Sequence, residues 1–226
     1  YSNAGLINAE DWVVHAATEA IELGHVDLDS EASNNLDLSL SRSWGNHYFE
    51  LVLYHNRFSD YIGLLNTGME VDTVSVYQYT QTDAAFSGLE WNSVWALGDW
   101  GNGDLALTVN GDVSRGKLAN AQGYVPRMPA NRVLTQLDWS RGDLYAWARV
   151  VHAFEQDRSA ANEEATEAYT RFDLGLQCAL SQASNWTMFF SAHNLTDEDI
   201  RLHTSFLKEL APEPGRGFEI GIRGQF

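Results

Sequence analysis

From residue 34 onward, apolar side chains recur at every second position rather than every third or fourth, and this period fixes the class of fold. Leu36, Leu38 and Leu40 alternate with Asp37, Ser39 and Ser41. Leu105, Leu107 and Val109 alternate with Ala106, Thr108 and Asn110, and Val113 follows Asp112. Phe172, Leu174, Leu176, Cys178 and Leu180 alternate with Arg171, Asp173, Gly175 and Gln177. At the end Phe218, Ile220, Ile222 and Phe226 share one side, with Glu219, Arg223 and Gln225 on the other. Each pattern describes a strand with one apolar and one polar face. About nine such segments are predicted, over 34–44, 47–60, 74–97, 104–116, 127–140, 143–157, 168–181, 185–195 and 216–226. Most run to about 10 residues or more, against roughly 5–6 for an ordinary strand. Trp44-Gly45-Asn46-His47, Gly98 to Gly103, Ser140-Arg141-Gly142-Asp143 and Ser181 to Asn185 are short turns. Longer polar links, over 61–73, 117–126, 158–167 and 196–215, lie between them. Short turns at one end and long loops at the other predict an all-β, up-and-down antiparallel meander with unequal rims.

The chain of 226 residues has ample apolar material, at 44% hydrophobic and 12% aromatic, which excludes a disordered acidic chain. Its 14 Lys+Arg against 31 Asp+Glu give a net charge of −17, which repels phosphate backbones and argues against nucleic acid as a partner. A single cysteine, Cys178, excludes a disulfide framework and a cysteine-based zinc site. No apolar run reaches the roughly 18 residues of a transmembrane helix, but a transmembrane strand needs only about 10. Residues 1–15 have neither a basic start nor an apolar core, so no secretory leader is expected there. Tyr1 in place of Met points to a processed product or a fragment. Residues 1–33 carry Glu10, Asp11, Glu19, Glu22, Asp27, Asp29 and Glu31 with no Lys or Arg. Within them Ala9 to Leu23 is expected to form a short helix, with Trp12, Ala16 and Ile21 on one side and Gly24 as its stop; an exposed acidic loop is the other option.

Alternation alone does not say what covers the apolar face: a core in a soluble sandwich, or lipid around a barrel whose polar face lines a lumen. Three features favour the barrel. Strand length matches a tilted crossing of the hydrocarbon layer. Large aromatics collect beside the short turns: Trp44 with Tyr48, Trp95, Trp100, Trp139, Trp186 and the terminal Phe226. An indole seeks apolar surroundings for its ring and water for its N–H, so Trp44, Trp95, Trp100, Trp139 and Trp186 are expected to form a girdle at one membrane rim. Charges inside strands fall on the polar face, namely Asp37, Glu50, Glu90, Asp112, Asp138, Arg149, Arg171 and Asp173. Arg42 breaks the rule but lies near a rim, where its stem lets the guanidinium reach water. The competing reading is a soluble all-β domain whose tryptophans fill a core.

At the C-terminus, Asn194-Leu195-Thr196-Asp197-Glu198, Arg201 to Lys208 (Arg-Leu-His-Thr-Ser-Phe-Leu-Lys), Ala211-Pro212 and Pro214-Gly215-Arg216-Gly217-Phe218 resemble the end of a TonB-dependent outer-membrane receptor. The strand Phe218 to Phe226 resembles the terminal strand of that family, with its final aromatic. Tyr54 to Ile62, Tyr77 to Gln81, Ala85 to Glu90, Pro126 to Ala130 and even Tyr1 to Leu6 resemble further parts of such receptors. The resemblance therefore runs along essentially the whole chain. It implies the C-terminal portion of a plugged barrel of about 22 strands, with about 13 strands, the plug and the TonB-contacting segment lying elsewhere. It divides the chain into an acidic extracellular loop segment, 1–33, and barrel wall, 34–226. It implies active uptake of a scarce nutrient across a Gram-negative outer membrane, driven through TonB, with no enzyme chemistry and no cofactor. His203 to Lys208 is similar to the subgroup that takes up metals or metal chelates, so a siderophore, haem or zinc is the implied cargo. The implied partners are the TonB complex, reached through the plug region, the outer-membrane assembly machinery, lipid and the cargo. Phe218, Ile220, Ile222 and Phe226 resemble the signal read by that machinery; an ordinary closing strand is the alternative. A passive porin, or a soluble secreted β-domain binding carbohydrate or protein, remain the other functional readings.

His15, His25, His47, His55, His152, His193 and His203 show no i, i+4 pair and no tight cluster with acids on one strand face, so scattered surface or rim histidines are expected and no metal site is assigned. His25 near Asp27 and Asp29 comes nearest to one. Glu155, Asp157, Glu163, Glu164 and Glu167 make a second acidic loop, expected to be a solvated surface that attracts cations. No nucleophile elbow or phosphate loop is present, and no catalytic residue is assigned.

Overall fold

A computed structural model describes residues 14–15, 18–119, 123–181 and 184–224. The elements are β1 (Val14–His15), β2 (Ala20–Leu23), β3 (Ala32–Trp44), β4 (His47–Val71), β5 (Val74–Trp100), β6 (Gly103–Leu118), β7 (Arg132–Arg141), β8 (Leu144–Ala153), β9 (Tyr169–Ser181), β10 (Ser184–His193) and β11 (Gly217–Gly224). From β3 to β11 each strand pairs antiparallel with the next, so the nine predicted strands form a meander in chain order. Tight turns at 45–46, 101–102 and 142–143 join strands at one end. Gly45, Gly101, Asn102 and Gly142 there take the left-handed backbone that such turns need.

The register gives each face its own character, because residues opposite one another in a ladder share a face. One row runs Leu38, Leu53, Leu89, Val113; another runs Trp95, Leu107, Leu137, Ala148 and Leu174. The alternate row runs Val52, Glu90, Asp112, Arg132, Ala153 and Tyr169. Among the described residues no second layer of structure covers the apolar face. Leu36, Leu38 and Leu40 are 70%, 66% and 62% exposed and Ile220 77%, while most of the buried apolar residues lie elsewhere. The one buried apolar cluster among the described residues lies at the long-loop end. There Ala84, Leu118 and Val125 are enclosed by Phe58, Tyr61, Leu65, Phe86 and Met128, with the Phe58, Tyr61 and Phe86 rings edge-to-face at 5.4–5.7 Å.

The structure corrects the sequence reading in three places. The expected helix over Ala9 to Leu23 is absent from its described part, which forms β1 and β2. Ala20 and Ile21 are buried, and β2 pairs parallel with β5 through Ile21–Val76, Glu22–Tyr77 and Leu23–Gln78, so tertiary pairing overrides local helix propensity and adds one parallel contact to the meander. The link expected over 61–73 is instead the continuation of β4, which pairs with β5 up to Val71–Val74 and turns at Asp72-Thr73, both with positive φ. A bulge between Phe58 and Tyr61, with Asp60 at φ 58, breaks the alternation there and hid the strand. The strands expected from 127 and to 157 are shorter, because 127–131 and 154–157 are loop.

Several glycines in the strands receive an aromatic ring from the neighbouring strand. A Cβ on Gly111 would fall 2.1 Å from the Trp91 ring, one on Gly88 2.3 Å from Tyr54, and one on Gly175 2.3 Å from Trp147. By strand propensity alone Gly111→Val is favourable. In the full-length protein it is expected instead to lower stability by about 1–3 kcal/mol, since the ring must leave its seat. A thermal unfolding midpoint in detergent that is unchanged or raised would contradict this packing.

Candidate functional site

The polar face and the loop 194–216 together enclose a recess of about 970 Å³. Its wall includes Glu50, Tyr54, Glu90, Asn110, Asp112, Arg132, Tyr169 and Arg171, and its roof includes Ile200 to Thr204 and Glu213. The polar face, within and below the recess, is a mesh of charge-assisted hydrogen bonds. Arg132 Nε donates to Asp112 Oδ1 at 2.7 Å, and Arg149 Nε to Gln136 Oε1 at 2.7 Å, with Gln136 donating on to Asp138 and Tyr145 OH also donating to Asp138. Arg171 meets Asp173 at 3.1 Å, and the Arg149 guanidinium lies over the Trp147 ring. Glu50 and Glu90 have no basic side chain within 4.0 Å among the described residues, leaving the recess with a negative excess.

Two polar knots hold the roof. At its start Asn194, almost fully buried and at φ 49, donates its amide N–H to Asp173 Oδ1 at 3.0 Å. Its side chain donates to the Glu198 carbonyl and accepts from the Glu198 amide, while Asp197 accepts from the Arg216 amide, so Asn-Leu-Thr-Asp-Glu closes the loop on itself. The second knot ties three loops together around Glu163. Its Oε1 accepts from the Arg127 amide at 2.8 Å, and lies 3.5 Å from His203 Nε2 and 3.7 Å from Lys208 Nζ; its Oε2 accepts from the Ala160 amide at 3.0 Å. Thr166 contacts the other side of the His203 ring, Lys208 donates to the Glu164 carbonyl, and the Arg127 guanidinium stacks 3.9 Å from the Phe206 ring centre. Gln156 pairs its backbone with Thr166 and donates its side chain to the carbonyls of Met128 and Pro129. Burial alone raises the Glu163 carboxyl, but the His203 ring and the Ala160 and Arg127 amides pull it down to about 2. Burial pushes the Lys208 ammonium down against the opposing pull of Glu163.

The residues singled out in the sequence fall in distinct places. Trp44, Trp95, Trp100, Trp139 and Trp186 lie on the apolar face beside the short turns. Trp44 contacts Trp95 edge-to-face at 5.7 Å, and Trp100 contacts Trp139 at 6.4 Å, with Trp139 Nε1 donating to the Trp100 carbonyl. Phe218, Ile220 and Ile222 project from the apolar side of β11, paired to β10, whereas Phe226 lies outside the described residues. The eight strand charges share the polar face, and Arg42, on the other, lies over the Trp44 ring. His203 is buried, not on the surface, and Glu163 is half-buried and turned inward rather than part of a solvated acidic loop, with its Oε1 3.5 Å from His203 Nε2. Glu22 and Glu31 are likewise engaged, by Thr18 and by the Ile62 amide. The His25 ring accepts from the Asp27 amide. Among the described residues no three His, Cys, Asp or Glu side chains are gathered as a metal site. Sequence reasoning missed the Glu163 knot, whose only trace was the His203–Lys208 segment.

A sheet of long antiparallel strands with one apolar face, one charged face and loops roofing one end has the architecture of a β-barrel wall. Residues 1–195 match the family described as TonB dependent receptor-like, beta-barrel, and the chain belongs to that family. Its fold is similar to that of the copper transporter OprC (TM-score 0.75, 20% identity, 87% of this chain and 32% of that one). It is also similar to the ferric enterobactin receptor PfeA of Pseudomonas aeruginosa (TM-score 0.63, 19% identity, 92% and 33%) and the FrpB iron transporter of Neisseria meningitidis (0.66, 11%, 90% and 33%). The chain spans about a third of the length of these proteins.

A carboxyl held at about 2 in the folded state and near 4.5 otherwise contributes stability that is complete above about pH 4.5 and lost as pH falls toward 2. In the full-length receptor, hydrogen exchange in 156–166 and 203–210, corrected for its intrinsic pH dependence, is expected to quicken over that window. Glu163→Gln should exchange fast already at neutral pH and lose the response. Equal protection in both proteins at pH 7 would show that the knot does not depend on this charge.

Proposed function

We propose that the chain forms part of the wall and outer loops of an outer-membrane transporter that takes up a scarce metal ion or metal chelate, powered through TonB. The observation that carries this reading is the separation, across nine strands, of an exposed face that is apolar between its rims from a face that carries the strand carboxylates. An apolar surface of that extent is costly in water and favourable against acyl chains, while the charged face suits a watery lumen. In this setting residues 34–226 are barrel wall, residues 1–33 an acidic extracellular loop segment, and Trp44, Trp95, Trp100, Trp139 and Trp186 an aromatic girdle at the periplasmic rim. The negative recess beside Glu50 and Glu90 supports cationic cargo, as does the overall acidity, because both raise the local cation concentration. Family membership and the metal and siderophore transporters of similar fold support the same class. TonB would be reached through the plug of the whole receptor rather than through this chain.

Uptake of labelled zinc, copper, haem and ferric siderophores at limiting concentration tests the proposal. Deleting the gene is expected to bring uptake of one of these to background, a plasmid copy to restore it, and loss of TonB to abolish it. Uptake that persists without TonB would indicate a passive pore.

We infer further that Phe218, Ile220, Ile222 and Phe226 serve as the assembly signal in addition to closing the wall. Removing Phe226 from the full receptor is expected to lower its outer-membrane level several-fold; an unchanged level would leave β11 a strand and nothing more.

A further inference from the structure

The apolar face ends, at the long-loop rim, in a cluster of basic side chains. The register pairs Arg57 with Ala85 and Ala85 with Lys117, and pairs His55 with Ser87 and Ser87 with Arg115. Arg57, Arg115 and Lys117 therefore stand on the apolar face, directly beyond the row of Leu53, Leu89 and Val113, and all three are exposed. They are three of only 14 Lys and Arg in a chain of net charge −17. Most other basic groups have a carboxylate, carbonyl or ring to meet on the polar face or in the loops. Among the described residues no carboxylate lies within 4.0 Å of Arg57, Arg115 or Lys117. Arg57 Nε is oriented by His55, Lys117 lies 5.8 Å from the Tyr124 ring centre, and the nearby Asp83 turns its Oδ1 to the Asp60 amide.

Height decides what such a cluster meets. About ten strand residues separate the short turn at His47 from Arg57; at ~3.4 Å each and a tilt of ~40° they rise ~26 Å, against an apolar band ~25 Å tall in outer-membrane barrels. The cluster thus sits at the headgroup level of the outer leaflet, facing lipid. Lys and Arg at that level reach the headgroup layer, where anionic groups attract them, and the guanidinium fork is shaped for phosphate.

We propose that Arg57, Arg115 and Lys117 form a binding site on the lipid-facing wall for the phosphates of a glycolipid headgroup in the outer leaflet. The inference rests on the outer-membrane placement proposed above but not on the cargo. The probe is lipid A, with its phosphates or after their enzymatic removal, titrated into phosphatidylcholine nanodiscs holding the full-length receptor. The triple variant R57Q/R115Q/K117Q is expected to bind phosphorylated lipid A at least tenfold more weakly than the wild type, and the dephosphorylated lipid should bind both proteins at that weaker level. Arg115→Lys should retain most of the affinity, and nutrient uptake should be unchanged because none of the three faces the recess. Equal affinity of wild type and triple variant would overturn the proposal, as would equal binding of the dephosphorylated lipid to the wild type. Displacement by inorganic phosphate at the lipid's own concentration would do the same, marking a free-anion site. Retention of the heat-modifiable band on gels reports folding; if the triple variant loses it, R57Q and K117Q are read singly, each with an expected two- to fivefold loss. Absence of uptake in the wild type, with the lipid result intact, would remove the transport reading alone.

Discussion

Everything in this structure depends on the backbone ladder holding its register. Side chains alternate strictly along a strand, so a slip of one residue would carry Leu38 and Leu53 to the charged side and Glu90 and Asp112 to the apolar side. Four devices pin it. Tight turns with left-handed residues fix the hairpins at 45–46, 101–102 and 142–143. Rings seated on glycines, such as Trp91 on Gly111 and Trp147 on Gly175, fit in one register only. Ion pairs and hydrogen bonds across the polar face, such as Arg132–Asp112 and Arg149–Gln136, add position-specific contacts. The bulges at Phe58/Tyr61 and Ala96/Gly98 bound the regular stretch, leaving Tyr48 to Phe58 of β4 and Ala84 to Ala96 of β5 in strict alternation. The small core of Ala84, Leu118 and Val125 could not organise nine strands, so cohesion comes from pairing and cross-strand contacts at about 0.2–1 kcal/mol each.

At the long-loop rim the structure changes its means. No ladder runs through 154–168 or most of 194–216, and buried polar knots do what hydrogen-bonded strands do elsewhere. Glu163 joins three loops because a carboxylate accepts from several donors at once, and it finds two amides, an imidazole and an ammonium around it. Burying such charges yields little net stability compared with an apolar plug of the same volume. What it yields is geometry: Arg127, His203 and Lys208 each have one place to go, so the roof over the recess takes one form. Asn194 acts similarly at the base of the roof, tying it to Asp173 on the wall.

The legibility of the sequence follows this division. Strands β3 to β11, their order and the face of each strand charge could be read from a period of two, since that period is the direct image of a half-apolar strand. The turn residues were equally plain. The upper part of β4 was not: the bulge shifts the phase at Tyr61, and Gly63, Asn66, Thr67 and Gly68 have the composition of a loop. The parallel pairing of β2 with β5 joins residues more than 50 positions apart, and nothing local in Ala20–Leu23 announces it. The Glu163 knot was hidden for the same reason. An acid among Glu155, Asp157, Glu164 and Glu167 looks solvated until His203 and Lys208 arrive from a distant loop.

The same physics defines what the chain requires of its surroundings. Among the described residues β3 pairs with β4 alone and β11 with β10 alone, so each end of the sheet presents a row of unpaired amides and carbonyls. Both faces of β3 are exposed along nearly its whole length, from Ala32 to Ser43. In water such an edge recruits another strand, and a sheet with an apolar face recruits another sheet. Lipid satisfies the face but worsens the edge, because unpaired backbone groups in hydrocarbon cost several kcal/mol each. The wall is therefore compatible with a membrane only when further strands continue it on both sides. That condition agrees with a chain spanning about a third of the transporters whose fold it shares.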